Sequence, residues 1–476
     1  MDYLEILENY REEMTEALAG IIRIRSVQEK PCAGPDGAVL PFGAGVEEVY
    51  QHMLALGRSM GFEVQDVDHY GGHIEWKAED PNAETFGIAA HLDVVPEGTG
   101  WSREPYGAVI EDGWMYGRGT TDDKGPVIES LYAMKALRDA GFRPKKNIRL
   151  ILGLDEETGK GGMDHYIEHA GMPDFGITPD GEFPLINGEM GILIFDLMEK
   201  LRRPTDRSGL LLSKLEGGDA PNIVPRKARA VLASQEPGAY DRIKAMAEAY
   251  AEESGHALSV RKAGTSLAVE ATGVSAHGAR PDLGLNAVSI LMAFLGRLEF
   301  AADEVNEFIG FYNEHIGFDY NGTKIGCGFE DEPSGKLIFN VGLAEFTDEF
   351  ASVTINIRYP VLCTGEEVYA GIESCLAGTR IGLLKKMHDR PVFFSTEDPF
   401  VETLLEAYAE ETGDTEAKPL VIGGGTYAKS LRRTMAFGAA FPEDEDRMHQ
   451  PDERLSLDAM MKAARIYARM LYKLCL

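Results

Sequence analysis

"AAHLDVVPEG", residues 89–98, interrupts an apolar run with a histidine, one spacer and an aspartate, then closes on Pro and Gly. The residues leading into it, "FGIAA" at 86–90, read as a buried strand, so His91 and Asp93 stand where that strand should be ending. In extended backbone, residues two apart face the same way, and the Asp93 carboxylate can hold one ring nitrogen of His91. The other nitrogen then keeps its electron pair free, which is how a metal-ligating histidine is usually oriented. A polar strand end running into a turn would look the same, so the pair takes its meaning from its surroundings.

Working outward, "GRGTTDDKGP" at 117–126 leads into the helical run "VIESLYAMKALRDAG", with Pro126 suited to a first helical turn. The apolar, β-branched "NIRLILGL" at 147–154 follows and stops at "DEETGKGG". Upstream, Tyr3, Leu7, Tyr10, Met14, Leu18 and Ile21 recur at helical spacing and predict one helix over 3–21. Strand, helix and strand alternate, which predicts an α/β fold with a mostly parallel sheet covered by helices. The pattern changes near residue 188. Strands such as "SLAVEATG" and "ASVTINIRYP" then share the chain with helices such as "LNAVSILMAFLGRLEF", as in a separate α+β domain. "DPFVETLLEAYAEETG", "TMAFGAAFP" and the last helix, "LDAMMKAARIYARMLYKLC", restore the first pattern. The expected organisation is one domain in two pieces, 1–188 and 391–476, with a second domain, 189–390, inserted in it. A cleft between the domains is the natural place for a ligand.

The bulk properties bound the function. At 476 residues the chain exceeds the roughly 250–300 at which one core stops growing, so two domains are expected. A formal charge of −31 argues against nucleic acid and anionic membranes as partners, because binding either depends on Lys and Arg neutralising phosphates. No apolar run approaches the roughly 18 residues of a membrane span. The opening "MDYLEILENYREEM" is an acidic amphipathic helix rather than a signal peptide, so a cytoplasmic location is expected. The five cysteines are scattered and never form CxxC, so neither a disulfide framework nor a thiolate zinc site is indicated.

Five positions could carry chemistry. Besides His91 with Asp93 there are Asp122 and Asp123, set among Gly117, Gly119 and Gly125; the triplet Asp155, Glu156, Glu157; Asp180 in "FGITPDGEFP"; and His449 in "FPEDEDRMHQPDE". Each has a plain structural reading: helix capping for the Asp pair, a solvated acidic turn for the triplet. Together they fall just after predicted strands of one α/β domain, where such sheets bind ligands. Two histidines and several carboxylates without thiolate suit one or two divalent ions such as zinc, manganese or cobalt. Two ions sharing a carboxylate can polarise a carbonyl and lower the pKa of a water. A neighbouring carboxylate left off the ions could serve as general base.

"HLDVVP", "GRGTTDDKGP", "LDEETG", "TPDGEFP", "GVSAHGARP" and the late "MHQ" run in one order along nearly the whole chain. Together they resemble the metallopeptidases of the M20 family, and within it the dipeptidase V branch. The resemblance implies that His91, Asp122 and Asp180 hold one metal and Asp122, Glu157 and His449 the other, with Asp122 bridging and zinc the first expectation. Asp93 would orient His91, Glu156 would shuttle a proton, and the Asp122–Asp123 peptide would be cis. In the inserted domain His277 would bond a developing oxyanion, and Asn222 in "PNIVP" and Arg358 in "NIRYP" match substrate-framing positions. A guanidinium can grip a substrate carboxylate through two hydrogen bonds. Gly424, Gly425 and Thr426 of "GGGTYAKS" match a glycine-rich loop approaching the substrate's C-terminal end, whose amides can line up on an anion. Lys429 stands there where that branch has Arg.

The inserted domain, about 200 residues long, exceeds the roughly 100–150 usual for one domain and resembles the doubled lid of dipeptidase V. A monomer is therefore expected. The implied function is a two-metal dipeptidase acting on small peptides with a free C-terminal carboxylate. The alternatives are an N-acyl-amino-acid deacylase or related amidohydrolase, and a noncatalytic metal or peptide binder.

Overall fold

A computed structural model describes residues 2–35, 37–202, 209–445 and 447–476. The chain separates into two compact units. The first comprises Met1–Gly188, Phe394–Val421 and Gly425–Leu476; the second comprises Glu189–Phe393 with Ile422–Gly424.

The first unit is built on a nine-stranded sheet, seven strands of which run in the order Ile186–Glu189, Thr434–Ala436, Phe175–Thr178, Thr85–His91, Asn147–Gly153, Gly71–Trp76, Glu63–Val67. Its centre is parallel: Thr85–His91 pairs in parallel with both neighbours, and Thr434–Ala436 does so with Phe175–Thr178. Both flanks are antiparallel. Side chains alternate across the central strands as the pleat requires. Ile88, Ala90, Leu150 and Leu152 enter the large core that also holds the helices Lys124–Asp139 and Leu457–Cys475. Ala89 and Ile151, one residue out of phase, join Met163 and Tyr166 of the helix Gly161–Ala170 in a smaller cluster. Both faces are thus covered, which is why these strands read as continuous apolar runs rather than alternating ones.

The helix Lys124–Asp139 is buried almost all round, packed by Leu457–Cys475 and by the N-terminal helices. Those N-terminal helices depart from the expected single helix. The chain forms Tyr3–Asn9 and Arg11–Ile22, broken at Tyr10, whose hydroxyl donates to Asp139 at 2.6 Å and whose ring packs edge-on against Tyr132. The helical period survives the break, so the apolar stripe alone did not reveal it.

The second unit carries an antiparallel eight-stranded sheet in the order Ala257–Ala263, Ser266–Thr272, Lys227–Ala233, Leu211–Gly217, Ile338–Phe346, Phe350–Tyr359, Gly191–Lys200, Gly382–Asp389. Its own core joins that sheet to the helices Ala239–Ser254, Ala287–Leu295, Asp303–His315 and Gly365–Leu376. Among the described residues no helix is long and apolar enough to cross a membrane.

Candidate metal centre

His91 is the last residue of the central strand Thr85–His91 and is fully buried. Its Nδ1 lies 3.0 Å from the Asp93 main-chain carbonyl, an atom that can only accept, so Nδ1 carries the proton in the neutral ring and Nε2 the electron pair. The Asp93 carboxylate is farther from the ring, at 3.4 Å. Asp93 thus faces Nδ1 with both its main-chain oxygen and its carboxylate, the main-chain oxygen being the nearer. The carboxylate accepts hydrogen bonds at 3.1 Å from the amides of Glu156 and Glu157, one on each oxygen. Asp93 therefore ties the end of one strand to the acidic turn that follows the neighbouring strand.

Asp122 lies between the two histidines. His91 Nε2 is 2.9 Å from its Oδ1, and His449 Nε2 is 2.9 Å from its Oδ2. Glu157 Oε2 lies 3.2 Å from His449 Nε2, and Asp180 Oδ2 lies 3.9 Å from His91 Nε2. Two groups of potential ligands result, His91–Asp122–Asp180 and Asp122–Glu157–His449; within each, one ligand atom per residue lies within 4.8 Å of the others. Asp122 belongs to both. The Asp122–Asp123 peptide is cis. Asp123 immediately precedes the helix Lys124–Asp139 but makes no capping bond; its Oδ2 accepts from the His91 amide at 3.0 Å.

The charges interlock. Burial disfavours a proton on His91, but Asp122 and Asp93 outweigh it and hold its pKa well above the ordinary histidine value. Asp122 and Glu157 lift His449 to about 10. Burial opposes charge on Asp122, yet the two imidazoles hold its carboxyl below the usual range. Glu156 belongs to neither ligand group, and burial, followed by the charge of Asp180, pushes its carboxyl well above the usual value. A divalent ion suits the donor set: all donors are nitrogen or oxygen, carboxylates outnumber imidazoles, and the buried Oε1 of Glu157 has no hydrogen-bond partner.

Glu453 is a participant the sequence reading missed. Its Oε1 accepts from the amides of Gly119 and Thr121 at 3.0 Å and from the Asp122 amide at 3.4 Å, while its Oε2 accepts from Arg118 at 2.6 Å. Glu453 and Arg118 are both buried. The strand Arg454–Ser456 pairs with Trp114–Tyr116 and brings this carboxylate under the loop that presents Asp122. The available signal was its place four residues after His449 in a stretch already singled out. Tyr427 is another: its buried ring stands edge-on to His91 at 6.5 Å, in the turn Tyr427–Lys429 that Thr426 caps through the Ala428 amide.

The remaining candidate residues divide between the two units. Gly425 and Thr426 belong to the first unit, and Gly424, Asn222, His277 and Arg358 to the second. Within the second unit, Asn222 and His277 are brought together: the Gly278 amide donates to the Asn222 carbonyl at 2.7 Å, and Ile223 bridges His277. Arg358 is buried on the strand Phe350–Tyr359 rather than engaged in a surface ion pair, with its Nε unpartnered. Burial lowers its pKa to about 10, with Asp389 opposing. A side chain at Gly423 would come within 3.4 Å of Ala279 and 3.9 Å of Arg358, so Gly423 lies beside both.

Residues 87–473 match Peptidase family M20/M25/M40. This chain belongs to the M20 family. It is 35% identical over 474 residues to a Staphylococcus epidermidis protein named "Putative dipeptidase", covering 99% of this chain and 98% of that one. It is 33% identical over 466 residues to "Putative dipeptidase YtjP" of Bacillus subtilis, covering 98% and 97%. Among solved structures, human carnosine dipeptidase 1 shares the fold with a TM-score of 0.53 at 17% identity, covering 98% of this chain and 97% of that one. An M20 family metallo-carboxypeptidase from Sulfolobus solfataricus does so with a TM-score of 0.56, also at 17% identity, covering 96% and 98%. The protein is a hydrolytic metallopeptidase of the M20 family.

Proposed function

We propose that the protein is a two-metal dipeptidase that hydrolyses the amide bond of dipeptides bearing a free C-terminal carboxylate. The observation that carries this reading is Asp122, shared by two ligand groups, with Glu156 beside them and outside both. His91, Asp122 and Asp180 would hold one divalent ion and Asp122, Glu157 and His449 the other, with zinc the first expectation and manganese or cobalt compatible with the same donors. When bound, such ions polarise a carbonyl and lower the pKa of a water. Glu156 takes the proton from the water that attacks the amide carbon and delivers it to the nitrogen as the C–N bond breaks. A raised pKa suits that exchange, because the group must both accept and release a proton near neutral pH. Asp93, bonded to the Glu156 and Glu157 amides, holds the base and one ligand in register.

We assign His277 of the second unit to the carbonyl oxygen that becomes negative, Asn222 and Arg358 of the same unit to framing the peptide, and Gly424, Gly425 and Thr426 to its C-terminal end. The chain acts as a monomer in the cytoplasm.

The test is hydrolysis of one dipeptide and of its N-acetylated form by zinc-loaded and manganese-loaded protein. Cleavage of the free dipeptide and none of the acetylated one is expected. Release of acetate from the acetylated substrate alone identifies a deacylase instead, and no hydrolysis by fully loaded protein identifies a binder.

A further inference from the structure

Away from the Asp122 centre, the helix Gly161–Ala170 carries His165 and His169 four residues apart, hence on one face. Asp68 reaches the same place from the turn between Glu63–Val67 and Gly71–Trp76, where its φ is 53°. One ligand atom from each of the three lies within 4.8 Å of the other two. His165 Nε2 is 3.1 Å from Asp68 Oδ2. Two histidines at this helical spacing are a recurrent chelating pair for zinc.

The rings are also set for the task. His169 Nδ1 lies 2.8 Å from the His165 carbonyl, an acceptor, so the proton of the neutral ring sits on Nδ1 and Nε2 keeps its electron pair. His165 is stacked on His169 with centroids 4.0 Å apart and on Tyr70 with centroids 4.2 Å apart, which fixes both rings before any ion arrives. An ordinary surface ion pair between His165 and Asp68 would need neither the second histidine nor its orientation, and would contribute little.

We propose that Asp68, His165 and His169 form an additional metal site for a divalent ion of the zinc class, sharing no residue with the Asp122 centre. Two imidazoles and a carboxylate leave the fourth tetrahedral position to water. The ion ties the Asp68 turn to the helix that directly follows the Glu156–Glu157 turn. That helix is already held at its other end by Asp155, whose Oδ2 accepts from the Gly162 amide at 3.0 Å.

The experiment is equilibrium dialysis of the full chain against zinc, with metal content measured for the wild type and for His165→Gln/His169→Gln. One zinc equivalent per chain fewer in the double variant, with dipeptide hydrolysis unchanged, is the expected result. Equal zinc content in the two proteins overturns the site. Circular dichroism checks folding of the double variant. If it does not fold, His169→Gln alone decides, with at least about a tenfold rise in one zinc dissociation constant expected and no change overturning the proposal. Because none of the three residues belongs to the Asp122 centre, loss of this equivalent and loss of hydrolysis are separate readouts.

Discussion

At the scale of single residues, the separation of ligands from base makes a sharp expectation. Glu156→Gln removes the proton carrier and no potential ligand, so hydrolysis should fall by roughly 10²–10⁴ while metal content stays at the wild-type value. Parallel assays of turnover and bound metal check this, and an active Glu156→Gln protein excludes the assignment. Glu453 makes a different one. Glu453→Ala leaves Arg118 buried without its carboxylate and the Gly119–Asp122 loop without its acceptor. Losing one member of a buried pair is destabilising by about 3–5 kcal/mol. A lowered thermal midpoint together with weakened zinc binding in dialysis is expected; a midpoint shift with unchanged zinc affinity would reduce Glu453 to a purely structural group. His91, Asp122, Asp180 and His449 were legible because each follows a recognisable strand or glycine-rich turn. Glu453 was not, since it bonds amides some 330 residues earlier in the chain and its own neighbourhood reads as a solvated acidic loop.

At the scale of elements, the strand Gly191–Lys200 holds a buried acid in acidic company. Glu199 faces Glu307 and Glu304 of the helix Asp303–His315, with Arg380 nearby at 3.1 Å. Burial, then Glu307, pushes its pKa up to about 7, against the pull of Arg380. The folded chain thus holds this proton more tightly than the unfolded chain. Its contribution is fully present below the ordinary carboxyl value and is lost as pH rises through about 7. Glu199→Gln cannot ionise, so its thermal midpoint should fall less than that of the wild type between pH 5 and 8, by on the order of 2–4 °C. Calorimetry across that range tests it, and parallel curves refute it. Element identity followed from period: the helices Lys124–Asp139 and Leu457–Cys475 and the central strands stand where the apolar pattern put them. The break at Tyr10 escaped it, because two consecutive helices with an unbroken 3.6-residue stripe look like one.

At the scale of the whole molecule, the cluster of carboxylates around Asp122 predicts that metal ions stabilise the fold as well as serve it. Chelation should lower the thermal midpoint, and zinc at about a hundredfold its dissociation constant should restore roughly 2.7 kcal/mol per site. A midpoint indifferent to chelator excludes strong binding at this centre. Sedimentation equilibrium should return a single 52.2 kDa species, as the size of the inserted unit suggests; a dimer would mean that a second chain contributes to the assembly.

The sequence by itself determined the mixed α/β character of the fold, because strand and helix periods and turn residues are local properties; the inserted domain and the candidate ligands it offered as expectations, from the change of pattern and the donor types. Tertiary structure alone decided how those donors are held. It sent the Asp93 carboxylate to the Glu156 and Glu157 amides, brought Glu453 beneath Asp122, assigned Ile422–Gly424 to the second unit and joined Asp68 to His165 and His169. Each of these rests on contacts between segments distant along the chain or joined through a turn. Periodicity can say which face a residue occupies, but only packing says which atom it meets.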